Sequence, residues 1–141
     1  MTGRGRDPAA AARVQPIGAS DDVVRARQLA RTLAVDCGLS LVDQTKLVTA
    51  ASELARNTLS YGGGGTMDAE LVERAGRRGV RLSFADKGPG IPDLDLALRD
   101  GWSSGSGMGL GLSGARRLVD EFELDTAVDE GTTVTVVKWA R

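Results

Sequence analysis

Nineteen of the 141 residues are glycine, and their placement constrains the fold more than any other feature of the chain. They gather at Gly62–Gly65, at Gly88 and Gly90, and between Gly101 and Gly114. Glycine clusters of this kind mark backbone that turns sharply or comes close to a ligand. Between them the apolar residues keep regular periods, as in one ordered domain with specialised loops.

Val23, Val24, Ala26, Leu29, Ala30, Leu33 and Ala34 form a helical stripe that Ser20 or Asp21 can cap and Gly38 can end. A second helix is expected from Leu41 to about Tyr61, through Leu47, Val48, Ala51, Leu54, Ala55, Thr58 and Leu59. Thr66–Glu73 and Val80–Ala85 alternate as strands around a basic turn from Arg74 to Gly79. Leu110–Phe122 has the period of a third helix, and Asp93–Leu98 can form a helical turn or two. Leu124–Val128 and Thr132–Trp139 close the chain as a hairpin around Asp129-Glu130-Gly131. The order α, α, β, β, α, β, β implies an α+β sandwich, with helices on one face of a mixed or largely antiparallel sheet. Residues 1–15 are expected to be a disordered tail, rich in Gly, Arg, Ala and Pro, and residues 16–141 one domain.

Composition excludes several functions. A net charge of -1 gives no electrostatic support to a nucleic-acid or membrane partner. No apolar run approaches the roughly 20 residues of a membrane span. The start of the chain has arginines but no secretory apolar core. The single cysteine, Cys37, excludes an internal disulfide framework and fits a reducing, cytoplasmic compartment. There is no histidine, so histidine triads, histidine metal sites and a phosphohistidine within this chain are excluded.

Three motifs carry candidate chemistry. Glu53 and Asn57 lie four apart in Ser52-Glu53-Leu54-Ala55-Arg56-Asn57 and share a helix face. The Asn57 carbonyl suits a hard cation such as Mg²⁺, and Glu53 can orient or deprotonate an attacking hydroxyl. The plain alternative is a solvated Glu and Asn. Asp86-Lys87-Gly88-Pro89-Gly90-Ile91 follows a strand; Asp86 can accept from an exocyclic amine such as adenine N6, and Gly88 and Gly90 let backbone approach a flat ring. A simple turn is the alternative. Gly105-Ser106-Gly107-Met108-Gly109-Leu110-Gly111-Leu112 runs into a helix, where backbone N–H groups and the helix dipole can hold phosphate. A flexible linker is its alternative. Thr132, after Gly131, can bond the base or a water, or simply begin a strand. A P-loop is absent, a Rossmann fingerprint lacks its preceding strand, and the H-R-D and D-F-G elements are missing. Together the three motifs point to ATP.

These residues resemble a known family. Glu53-x-x-x-Asn57 is similar to the N box of the GHKL (Bergerat) ATPase/kinase fold, Asp86-x-Gly88-x-Gly90 to its G1 box and Gly105-x-Gly107-x-Gly109-x-Gly111 to its G2 box, with Thr132 as its late threonine. Ser52–Asn57, Gly88–Asp93, Arg117–Phe122 and Lys138–Arg141 resemble the RsbT-like switch-protein serine/threonine kinases of the bacterial general-stress pathway. The resemblance spans roughly Ile17–Arg141. It implies a two-layer sandwich and a cytosolic anti-sigma-type kinase that uses ATP and Mg²⁺. Its implied substrates are STAS-domain proteins of a stressosome, such as those called RsbS and RsbR. Once released, such a kinase binds a downstream phosphatase or other regulator, and the family admits a homodimer.

On the same carry-over Glu53 is the base, Asn57 the metal ligand and Asp86 the adenine anchor. Gly88, Gly90 and Ile91 line the base. Gly105, Gly107, Met108, Gly109, Leu110 and Gly111 cover the phosphates. A binding module that uses nucleotide as a state signal is the other class of function consistent with the residues, and a conformational ATPase a third.

Overall fold

A computed structural model describes residues 12–90 and 111–141. Strand β1 (Ala12–Ile17) leads into helices α1 (Ser20–Cys37) and α2 (Leu41–Ser60). Strands β2 (Gly65–Arg74) and β3 (Arg77–Asp86) follow, then helix α3 (Gly111–Leu118) and strands β4 (Glu121–Ala127) and β5 (Gly131–Trp139). The strands form one sheet in the order β1-β2-β3-β5-β4, and every pairing among them is antiparallel. The α+β sandwich is as expected, without the parallel pair that a mixed sheet would need.

Local chemistry sets the boundaries. At the start of α1 the capping side chain is Asp22, not Ser20 or Asp21: its carboxylate accepts the N–H groups of Gly18 at 2.9 Å and Ala19 at 3.1 Å. Gly38, at φ 88°, ends α1 in the left-handed turn that favours glycine. The Ser40 hydroxyl caps α2 by accepting the Asp43 N–H at 3.1 Å. The β2–β3 turn is tighter than the sequence suggested. Only Ala75 and Gly76 lie outside the ladder, both with positive φ, as a two-residue hairpin loop requires.

Two further expectations are corrected. Ala12–Gln15, assigned to the tail, pair with Met67–Glu70 as most of an edge strand; the rest of the expected tail lies outside the described residues. Helix α3 stops at Leu118, and Glu121 and Phe122 already belong to β4, so the apolar period through Phe122 spans a helix and then a strand. The expected turn at Asp93–Leu98 lies outside the described residues.

One face of the sheet meets the helices. Its rows run across the strands as Met67–Phe84–Val134–Leu124 and Ala69–Leu82–Val136–Phe122. Against them pack Ala26, Ala30 and Leu33 of α1, Leu47, Ala51 and Leu54 of α2, and Leu112 and Ala115 of α3. Small residues on the helices let them lie close to the sheet. The alternate side chains, among them Asp68, Arg81, Ser83, Thr135 and Glu123, occupy the opposite face. At the far end of the core face Lys138 is buried, with its ammonium 3.5 Å from Asp43 and 3.6 Å from Asp120.

Candidate nucleotide site

The core-face rows continue by one step into Gly65–Asp86–Thr132–Thr126. Asp86 therefore ends β3 with its side chain on the helix side of the sheet and Thr132 opposite it on β5. The N–H of Gly88 donates to Asp86 Oδ1 at 2.8 Å, which fixes the carboxylate. Oδ2 has no hydrogen-bond partner among the described residues, so it can accept from an exocyclic amine. Thr126 Oγ1 donates to the Gly131 carbonyl at 3.0 Å and lies 2.8 Å from Thr132 Oγ1. Thr126 has one proton and it goes to the carbonyl, so Thr132 donates to Thr126 and keeps lone pairs for an incoming donor or water.

The glycines after α2 belong to this site. A Cβ on Gly62 would strike the Asp86 side chain, and one on Gly65 would strike the Ala85 carbonyl. Gly88 is close to Gly62 in turn: a Cβ on Gly88 would lie 2.7 Å from the Gly62 Cα. Gly62 N–H donates to the main-chain carbonyl of Asn57 at 3.1 Å, so the Asn57 backbone, Gly62 and the Asp86 side chain form one continuous contact. Gly62 and Gly65 thus form the packed joint between α2 and the end of β3. Gly90, at φ 76°, lies against the Ala127 carbonyl; Tyr61 Oη donates to the Gly90 carbonyl at 3.2 Å and Asp129 N–H to that of Pro89 at 2.8 Å. These bonds tie the Gly88-Pro89-Gly90 loop to both flanking elements.

Glu53 lies on α2 about 40° round from Asn57, given ~100° per residue. Its carboxylate is 2.9 Å from Arg56 Nη1, with the Glu53 side chain 38% exposed. An ion pair this open contributes at most about 1 kcal/mol, so the carboxylate is readily released to another partner. Arg56, one turn on from Glu53, was not among the sequence candidates, although its spacing is that of a helix ion pair.

Gly111 is the first described residue of α3. Ile91, Gly105, Gly107, Met108, Gly109 and Leu110 lie outside the described residues. Ser113, on α3, is 4% exposed, and its hydroxyl has no hydrogen-bond partner among the described residues. Nothing in the sequence distinguished this serine from its loop neighbours. Among the described residues no group of three or more His, Cys, Asp or Glu side chains could hold a metal. Asn57 alone suits Mg²⁺, which commonly takes one or two protein oxygens and completes its shell with phosphate oxygens and water.

A half-buried carboxylate with one oxygen unpartnered among the described residues, hydroxyls beside it and a glycine joint make this end of the sheet a candidate nucleotide site. Residues 42–140 match the family described as histidine kinase-, DNA gyrase B-, and HSP90-like ATPase. The chain is 45% identical over 120 residues to the serine/threonine-protein kinase RsbT of Bacillus subtilis (strain 168), covering 85% of this chain and 90% of that protein. Among solved structures, the RsbU and RsbW domains of Rv1364c from Mycobacterium tuberculosis superpose with a TM-score of 0.65 at 22% identity. That match covers 92% of this chain and 33% of the other, so this chain spans about a third of that structure's length. The mycobacterial sensor histidine kinase MprB gives a TM-score of 0.57 at 20% identity, covering 92% of this chain and 97% of the other. These two likenesses are of fold. The chain belongs to the histidine kinase-, gyrase B- and HSP90-like ATPase family and, within it, to the RsbT serine/threonine-protein kinases.

Proposed function

We propose that the chain is a cytoplasmic, ATP-dependent kinase of a partner-switching pathway. It phosphorylates a serine or threonine of a STAS-domain antagonist and, when free of that partner, binds a downstream phosphatase or other regulator. The observation that carries this reading is the pairing of Asp86, with its free Oδ2, against Thr132 at one end of the sheet, joined through Gly62 to the helix of Asn57 and Glu53.

Asp86 accepts the adenine amine while Gly88 and Gly90 leave room for the ring. Asn57 would hold Mg²⁺, which would supply charge neutralisation at the phosphates. By the family resemblance Gly105–Gly111, with Met108 and Leu110, would supply the phosphate contacts. By the same resemblance Ile91 would line the base, and Thr132 would bond it directly or through water. The acceptor hydroxyl oxygen attacks the γ-phosphorus as the bond from that phosphorus to the β–γ bridging oxygen breaks. ADP leaves with the bond's electron pair, and the hydroxyl proton passes to Glu53. Such transfer needs chiefly positioning and charge neutralisation. The Arg56 ion pair orients Glu53 until an acceptor arrives.

The test is transfer of label from [γ-³²P]ATP to a purified STAS-domain protein of the RsbS type. Glu53→Gln should lower transfer by about 100-fold or more, the scale of general-base catalysis, with ATP affinity unchanged. Transfer at the wild-type rate in that variant would remove Glu53 from the mechanism. Tight ATP binding with no transfer by the wild-type chain would replace the kinase with a nucleotide-dependent binding module.

A further inference from the structure

Among the described residues nothing packs on the outer face of α2, where a stripe of side chains leads to Glu53. Val42, Lys46, Thr49, Glu53, Arg56 and Ser60 recur at intervals of three and four, so they lie along one side of the helix. All but the half-buried Glu53 are exposed, while the opposite side buries Leu47, Ala50 and Leu54. Leu41 and Val42, at the start of the stripe, are 71% and 65% exposed. They belong to no part of the core, and α2 is already capped by Ser40, so neither packing nor helix formation accounts for two adjacent large apolar side chains in water. Lys46, one turn further on, has no ion-pair partner among the described residues.

We infer that this stripe is the docking surface for the protein that presents the accepting hydroxyl. The inference rests on the kinase reading, because Glu53 fixes one end of the contact. A hydroxyl held at Glu53 by a folded protein brings the surface around it down onto the neighbouring turns of α2. At ~1.5 Å per residue, Lys46 lies about 10 Å and Val42 about 16 Å along the helix from Glu53. The partner that fits carries an acidic group about 10 Å from its hydroxyl, opposite Lys46, and an apolar patch a turn beyond, against Leu41 and Val42. Continuity with the reacting carboxylate selects that partner over a second copy of this chain, and a net charge of -1 gives a nucleic acid no support.

Val42→Asp and Lys46→Glu test it in the full chain, against an RsbS-type STAS-domain acceptor. Both positions are exposed, and an acid in the first turns of a helix is compatible with its dipole. The KM for the acceptor should rise about tenfold or more in each: Lys46→Glu opposes like charges across the interface, and Val42→Asp sets an unpaired charge against an apolar patch. The kcat should stay within about twofold and the ATP dissociation constant should not change, because neither side chain touches the reacting atoms. Lys46→Arg should keep the wild-type KM. Val14→Asp, an equally exposed valine on the far edge strand, should have no effect.

Acceptor binding measured by interferometry, with a non-hydrolysable ATP analogue present, reads the same surface without requiring transfer. If the kinase reading fails but the surface is right, binding weakens in the two variants while transfer is absent from all. Unchanged KM and unchanged binding in both variants would overturn the inference. So would failure of the wild-type chain to bind the acceptor, or a change confined to sedimentation, which would make the stripe a contact between copies.

Discussion

Replacing Asp86 by Asn isolates one atom. In the native chain Oδ1 is taken by the Gly88 N–H at 2.8 Å and Oδ2 is free. Asparagine keeps the shape, and its carbonyl oxygen can still accept from Gly88. The amide nitrogen must then take the place of Oδ2, and its protons face the amine that a carboxylate would have accepted. The loss is one charge-assisted hydrogen bond, about 1.5–3 kcal/mol, equivalent to a roughly 10- to 150-fold weaker dissociation constant for ATP. Because the Gly88 bond and the β3–β5 pairing survive, the thermal midpoint without nucleotide should move little. Calorimetric titration of ATP into both proteins, beside a melting curve of each, separates the two effects. A dissociation constant within threefold of wild type would refute the assignment of Oδ2 to the base. A large loss of stability would show that the carboxylate serves the fold.

Two other outcomes follow from buried or charged groups. Ser113→Ala removes a hydroxyl that is buried without a partner among the described residues, so the nucleotide-free protein should gain about 1 kcal/mol, or roughly 2–4 °C in melting temperature for a domain of this size; a lower melting temperature would contradict the reading. Asp120 and Glu121 both have pKa values held below their ordinary 3.8 and 4.5. For Asp120 burial works upward, but the Trp139 N–H, Lys138 and Arg141 outweigh it; for Glu121 the Trp139 indole N–H and Arg74 pull it down. A depressed carboxylate contributes stability that is complete above its unfolded value and lost as pH falls through its folded value. The urea midpoint should therefore decline below about pH 4.5, and less steeply for the Asp120→Asn, Glu121→Gln double variant; parallel declines would show that these groups do not set the acid limit.

The parts of this molecule that sequence made legible are those governed by period. The stripes of α1 and α2 and the alternation of β2, β3 and β5 follow from local spacing, and the α+β class follows from their order. Strand β1 escaped because it is a short edge strand containing Pro16, mostly exposed, with Ile17 its only fully buried residue. The end of α3 escaped because Phe122 and Leu124 face the same core as Leu118, so one apolar pattern covers two kinds of element. Asp86 and Thr132 were both visible as candidates, yet only the register makes them neighbours. Glycine alone did not tell a hinge from a joint. Gly62 and Gly65 are required by what lies against them, side chain and carbonyl groups of β3, which no local spacing encodes.

The site inherits its geometry from the core by way of that register. Asp86 lies two residues beyond Phe84, and Thr132 two residues before Val134; Phe84 and Val134 are themselves paired in an apolar row with Met67 and Leu124. Because side chains alternate with a period of two, slipping β3 by one residue against its neighbours would put Phe84 and Leu82 into water. At ~25 cal/mol per Å² of apolar surface, exposing those two side chains alone costs about 3–6 kcal/mol, a large part of the stability of a domain. The same slip would carry Asp86 to the opposite face, away from Gly62 and Thr132. The hydrophobic rows therefore hold the carboxylate in place without touching a ligand. A volume-conserving change such as Leu82→Met should accordingly leave ATP affinity unchanged, since it preserves the row that fixes the register.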